Sequence, residues 1–269
     1  MKIIDAHLHL FQPGKFPAAR KDEAGETPRA GALTKEYERL GIESGVVMGN
    51  QPLSAGAYQF SPAFHYCIGV GDFERPLAPD AKTLELMELQ LAKKACAGIK
   101  IYIGYAPIYA GDPCLEPYYR LAEKYDKPVA FHTGMTADSM GSLKYCHPLT
   151  IDEPASKFPN VQFVLCHFGN PFLAEAAAVM EKNPNVAADL SGLLDGKTDL
   201  DRYFDRQAGY ISLLRSWIRY VDDDSRFLFG TDYPATDIGN YIEFIRRLLD
   251  REDQNLIFYE NAKRIYRLE

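Results

Sequence analysis

Ile3-Ile4-Asp5-Ala6-His7-Leu8-His9 reads as a short strand that runs into a Gly/Pro-rich stretch. Residues two apart on a strand share a face. Strict alternation therefore puts Asp5, His7 and His9 on one side and Ile4, Ala6 and Leu8 on the other. Two imidazoles at a strand's exit can hold one metal ion. A lone His pair near a terminus is more often incidental, so the case depends on partners elsewhere in the chain.

Those partners come at regular intervals. Residues 45–49, 63–71, 98–102, 129–132, 161–167, 186–190 and 226–229 are short apolar runs bounded by Gly, Pro, Asn or Asp. Between them lie helical patterns at 34–40, 80–95, 115–125, 150–158, 173–182, 201–221 and 238–249, with a last helical segment at 254–268. In the 80–95 segment, Leu84, Met87, Leu91 and Ala95 recur at helical spacing, and Asp80 can cap it. Strands that alternate with helices form parallel sheets joined by crossovers. Eight such units close into a single (β/α)8 TIM barrel spanning 1–269. No G-x-G-x-x-G follows any strand, which argues against an open dinucleotide-binding sheet.

A barrel of this kind carries its chemistry at the C-terminal ends of its strands. The polar residues expected there are His7 and His9, Asn50 and Gln51, Lys100 and Tyr102, His132, His167, Asp189 and Ser191, and Asp232. Four of the six histidines fall at this one rim. Three histidines and an aspartate around an open position are the composition of a catalytic metal site, and imidazole and carboxylate suit Zn2+, Mn2+ or Fe2+. The expected ligands are His7, His9, His132 and Asp232. Such a cation makes hydroxide available at neutral pH. Asp232 can also accept a proton, and His167 can act as acid, base or hydrogen-bond donor to a carbonyl. Alternation along the sixth strand turns Val164 and Cys166 outward, as packing residues.

Composition narrows the partners. A hydrophobic fraction of 46% and a charged fraction of 25% are ordinary for a soluble globular protein. The formal net charge of −7 disfavours nucleic acid. The five cysteines are odd in number and include no C-x-x-C, which fits reduced thiols in the cytoplasm. No secretory leader is expected, and no apolar run reaches the ~18 residues of a membrane span. The expected partner is a small-molecule substrate, and a homodimer is the assembly to test. Its pocket would draw on Asn50, Tyr102, Tyr105 and the 11–33 loop, in which Arg20 or Arg29 can clamp a carboxylate. His147 is a rim residue.

D-x-H-x-H (Asp5, His7, His9), G-I-K-I-Y (Gly98 to Tyr102), F-H-T-G (Phe131 to Gly134), C-H-F-G (Cys166 to Gly169) and G-T-D-Y-P (Gly230 to Pro234), in this order and at barrel spacing, resemble the amidohydrolase superfamily. The match looks best with the amidohydrolase-related branch that includes aminocarboxymuconate semialdehyde decarboxylase-type enzymes. The resemblance implies one divalent metal, most often Zn2+, on His7, His9, His132 and Asp232, with His167 orienting water or working as acid/base. Binuclear members of the superfamily carry a carboxylated lysine on the fourth strand. By that likeness Lys100 and His167 are the residues for a second metal, with a single-metal site preferred. The other reading of Lys100 is a cation that binds substrate or pairs with Asp189. The implied activity is hydrolysis of an amide, lactone or ester in a small carboxylated substrate, with nonoxidative decarboxylation as the alternative. The TatD-like deoxyribonucleases share the first motif but carry glutamate where this chain has Lys100.

Overall fold

A computed structural model describes residues 1–10, 30–71, 77–137, 139–249 and 254–269. Eight parallel strands follow one another in chain order around a sheet: β1 Ile3–Leu8, β2 Ile42–Met48, β3 Phe64–Val70, β4 Cys96–Ile101, β5 Val129–Phe131, β6 Phe163–Leu165, β7 Val186–Asp189 and β8 Phe227–Leu228. Beyond the last ladder, β8 returns to β1. The Ala6 amide donates to the Phe229 carbonyl at 2.9 Å, and the His9 amide to the Tyr233 carbonyl at 2.7 Å. The architecture is the expected (β/α)8 barrel.

Helices α1 Ala30–Leu40, α2 Ala81–Leu91, α3 Glu116–Lys124, α4 Asp152–Lys157, α5 Leu173–Lys182, α6 Leu200–Arg206, α7 Ala208–Val221, α8 Ile238–Leu249 and α9 Asn261–Ile265 accompany the strands. Residues 49–63 join β2 to β3 without a helix, so one crossover is a loop. The helix expected over 201–221 is two helices that meet at Gln207. Asp199 caps the first, accepting from the Arg202 amide.

Two apolar layers hold the barrel. Outward strand residues such as Ile99, Phe131, Phe163 and Phe227 pack with Leu91, Tyr119, Leu214 and Ile245 of the helices. Inward residues are small in several strands (Ala6, Ala97, Ala130, Ala187), and Ala262, Ile265, Tyr266 and Leu268 of the C-terminal segment close the floor beneath them. Small inward side chains leave room for Tyr266 and Lys100, both fully buried.

The facing of two segments departs from simple alternation. In β1, Asp5 pairs with Gly45 but Leu8 with Val47, so one extra residue stands on β1 between them. Such a bulge reverses the faces. Ala6 packs inside the barrel and Leu8 outside, and Asp5 does not share the face of His7 and His9. Asp5 instead accepts from Tyr37 Oη of α1 at 2.8 Å and from the amide and Oγ1 of Thr231 at 2.9 and 2.6 Å. In β6, Val164 and Cys166 face inward, the reverse of the expected orientation. The strand ends at Leu165, and the chain turns through left-handed backbone at His167 (φ 62°) and Phe168 (φ 46°). The turn, not alternation, carries His167 into the mouth.

Candidate metal centre

His7 is the anchor of the cluster. It is fully buried, and its Nδ1 lies 2.9 Å from Oδ2 of Asp189 at the end of β7. An ionised carboxylate only accepts, so Nδ1 carries the proton and Nε2 keeps its lone pair. That Nε2 is buried without a hydrogen-bond partner and stands 3.5 Å from Asp232 Oδ1. The same Asp232 oxygen lies 3.2 Å from His9 Nε2. His7, His167 and Asp232 offer ligand atoms all within 4.8 Å of one another. The rings of His132 and His167 are 5.1 Å apart, and His132 lies outside that tight group. Its Nε2 is 3.0 Å from the Met135 carbonyl, so Nε2 is the protonated nitrogen.

A divalent cation fits this donor set. A buried imidazole nitrogen with no partner, its ring held from behind by a carboxylate, and a second carboxylate beside it form the carboxylate–histidine–metal arrangement of known metal sites. The electrostatics agree with it. Burial pushes His7 and His132 below the ordinary imidazole range and His167 to about 4, so all three are neutral at pH 7. Burial alone would raise the carboxyl of Asp232, but the hydrogen bond from His9 and, at the acid pH where the rings protonate, the charges of His167 and His7 hold it well below the usual range. Neutral imidazoles beside an ionised carboxylate are the forms that bind metal.

Two residues of the seventh strand's exit, absent from the expected ligand set, organise the rest. Asp189 Oδ1 accepts from the His167 amide at 2.9 Å, the Ser191 amide at 3.1 Å and Ser191 Oγ at 2.5 Å. His167 Nδ1 lies 2.9 Å from Ser191 Oγ and 3.2 Å from the Ser191 carbonyl. A carbonyl must accept, so His167 Nδ1 carries the proton and Nε2 faces away with its lone pair. The sequence holds a signal for this pair: Asp189-Leu190-Ser191 repeats on β7 the two-residue spacing of the first motif.

Of the other expected site residues, Tyr105 lies against His132 with ring centroids 4.8 Å apart. Tyr102 reaches the Met48 carbonyl, and its ring lies 5.4 Å from Lys100 Nζ. Asn50 is half-buried after β2, and Gln51 serves the loop by accepting from the Tyr58 amide. His147 accepts from the Leu149 amide, and its ring lies tilted against Phe172. Lys100 neither bonds to Asp189 nor enters the His/Asp cluster. Its Nζ points to Cys166 Sγ at 2.7 Å. Arg20 and Arg29 lie outside the described residues.

A parallel barrel with histidines and an aspartate gathered at its C-terminal mouth defines a class of enzymes that work through a metal. Residues 4–268 match the family profile described as Amidohydrolase, and the chain belongs to that family. It is similar in structure to an uncharacterized TIM-barrel protein from Bordetella bronchiseptica, with 22% identity, 98% of each chain covered and a TM-score of 0.67. It is also similar to a probable 2-pyrone-4,6-dicarboxylic acid hydrolase from Acinetobacter baumannii, solved with citric acid bound, with 15% identity, 100% of each chain covered and a TM-score of 0.70. A third similar structure is 5-carboxyvanillate decarboxylase from Sphingomonas paucimobilis, with 14% identity, 100% of this chain and 99% of that one covered, and a TM-score of 0.67. Among curated proteins no sequence match is found. No helix among the described residues is long and apolar enough to cross a membrane.

Proposed function

We propose that this protein is a metal-dependent hydrolase that opens an amide, lactone or ester carbonyl of a small carboxylated substrate. The observation that carries this reading is the partnerless Nε2 of buried His7, set between the Asp189 that fixes its tautomer and the Asp232 carboxylate. His7, His9, His132 and Asp232 would hold one divalent cation, and of these His7 and Asp232 stand with His167 in the tight group of donors. Zn2+ suits the donors best, and Mn2+ or Fe2+ are the next choices. When bound, the cation supplies hydroxide at neutral pH and polarises a carbonyl.

The chain's own residues do the remaining work. Asp232, ionised at neutral pH, accepts a proton at Oδ1 or Oδ2. His167, neutral and anchored through Nδ1, presents Nε2 to the mouth and there takes or returns a proton. Lys100 is directed below the cluster, which supports a single-metal site over a carboxylated lysine. Tyr105 beside His132 and Tyr102 beside Lys100 shape one wall of the pocket. The likeness to a pyrone dicarboxylate hydrolase supports a carboxylated substrate. The five cysteines are free thiols, in keeping with a cytoplasmic enzyme.

Decarboxylation is the second reading, favoured by the likeness to 5-carboxyvanillate decarboxylase. A library of lactones, amides and aromatic carboxylates, assayed in parallel for hydrolysis and for CO2 release, separates the two. Asp232→Asn keeps the side-chain size but removes the anionic acceptor, so turnover should fall at least ~100-fold while the circular dichroism spectrum stays the same. An Asp232→Asn protein with wild-type turnover would overturn the mechanism.

A further inference from the structure

The barrel floor holds a buried amine and a buried thiol in unusually close contact. Lys100 on β4 and Cys166 after β6 are both fully excluded from water. Lys100 Nζ lies 2.7 Å from Cys166 Sγ, a separation ordinary for N–H···O but short for nitrogen and the larger sulfur. No other side chain accepts from this amine among the described residues. The neighbouring carboxylate of Asp189 is already taken by His7, Ser191 and the His167 amide. A thiol is a weak acceptor, and the Tyr102 ring, 5.4 Å away, is the amine's other neighbour. No other cysteine among the described residues has a lysine amine as hydrogen-bond partner.

We propose that Lys100 and Cys166 form a reversible covalent cross-link through one bridging oxygen, Nζ–O–Sγ, when the protein meets dioxygen or a peroxide. The separation is right for nitrogen and sulfur joined through a single oxygen atom. Written from the amine and the thiol, one dioxygen takes four electrons. One of its atoms becomes the bridge, and the other leaves as water with two of the three N–H and S–H hydrogens. The third hydrogen stays on nitrogen. With hydrogen peroxide as oxidant, two molecules are consumed and three waters leave. Sulfenic acid is the first stage of thiol oxidation; its direct condensation with a nitrogen expels water and leaves an S–N bond, so keeping the oxygen between the two atoms takes the second oxidising equivalent counted above.

The position gives the bridge a consequence. Ligand atoms of Cys166, His7 and Asp189 lie within 4.8 Å of one another, so the cross-link forms directly beneath the residue that anchors the His/Asp cluster. The bridge does not depend on the identity of the substrate or of the reaction.

Peptide mapping by mass spectrometry tests it on protein exposed to hydrogen peroxide, before and after dithiothreitol. The expected product is a linked peptide pair joining Lys100 to Cys166. It should be one oxygen heavier and two hydrogens lighter than the sum of its parts, and should vanish on reduction. Cys166→Ser and Lys100→Arg should each abolish the pair, and a crystal structure of the oxidised protein should show density for one atom between Nζ and Sγ. Cys166 recovered unmodified, or only as sulfenic or sulfinic acid with Lys100 still open to trypsin, would overturn the proposal. So would a link that lacks the oxygen.

Discussion

His7 is held from behind before anything binds in front of it. Asp189 accepts its Nδ1 proton at 2.9 Å, and that bond sets which nitrogen is left for a cation. In Asp189→Asn the amide can offer its own N–H to the ring, and the tautomer that exposes Nε2 is no longer favoured. Metal affinity, measured by competition with a chelator, should drop ~10–100-fold, and an unchanged affinity would show that Asp189 does no positioning. The same burial has a pH signature. The His167 pKa in the folded chain is about 4 against 6.5 for the free group, because of burial. As pH falls through 6.5 the unfolded chain takes up this proton first. Stability of metal-free protein is therefore full above pH 6.5 and is lost toward pH 4, by up to ~1.4 kcal/mol per pH unit for this one imidazole. His7 and His132 shift in the same direction. Asp5 opposes them: burial raises its carboxyl to about 6, so below that pH the folded chain gains the proton first. Three imidazoles outweigh one carboxyl, and urea denaturation should give a lower midpoint at pH 5 than at pH 7. An equal or higher midpoint at pH 5 would contradict these buried neutral histidines.

At the level of the element, the seam between β1 and β8 decides where the ligands stand. The amides of Thr231 and Asp232 both donate to the His7 carbonyl, at 3.2 and 2.8 Å. Asp232 then sits in left-handed backbone at φ 58°, as His167 does after β6. Of the seven non-glycine residues with positive φ among the described residues, these two stand in the cluster, where backbone strain serves a site. Gly230 permits the close approach, because a Cβ there would lie 2.8 Å from the Cβ of His7 and 3.2 Å from that of Ser191. Gly230→Ala should cost ~1–3 kcal/mol by overpacking, read as a lower denaturation midpoint, and should weaken metal binding with it. A variant as stable and as metal-loaded as wild type would contradict this packing. The strands themselves were legible because apolar runs punctuated by Gly and Pro are their direct mark. The bulge in β1 and the turn at His167 were not, because alternation carries no notice of an inserted residue or of positive φ. That is why alternation alone puts Asp5 and Cys166 on the wrong faces while His7, His9 and Asp232 still come together.

Across the whole molecule, parallel strands send every C-terminal end to one face, so residues far apart in sequence converge without direct sequence contact. His7, His132, His167 and Asp232 could be picked from the sequence for this reason. Asp189 and Ser191 could be seen at a strand exit, but their grip on His7 and His167 depends on distances across the barrel that no spacing encodes. Substrate choice rests on loops between elements, where residue types alone carry little shape. Metal content tests the central claim most directly. Elemental analysis of protein purified without chelator should find one equivalent of a divalent transition metal per chain, and His7→Asn should abolish it while leaving the barrel folded. Wild-type protein that binds no divalent metal, or a His7→Asn variant that binds it undiminished, would contradict the account.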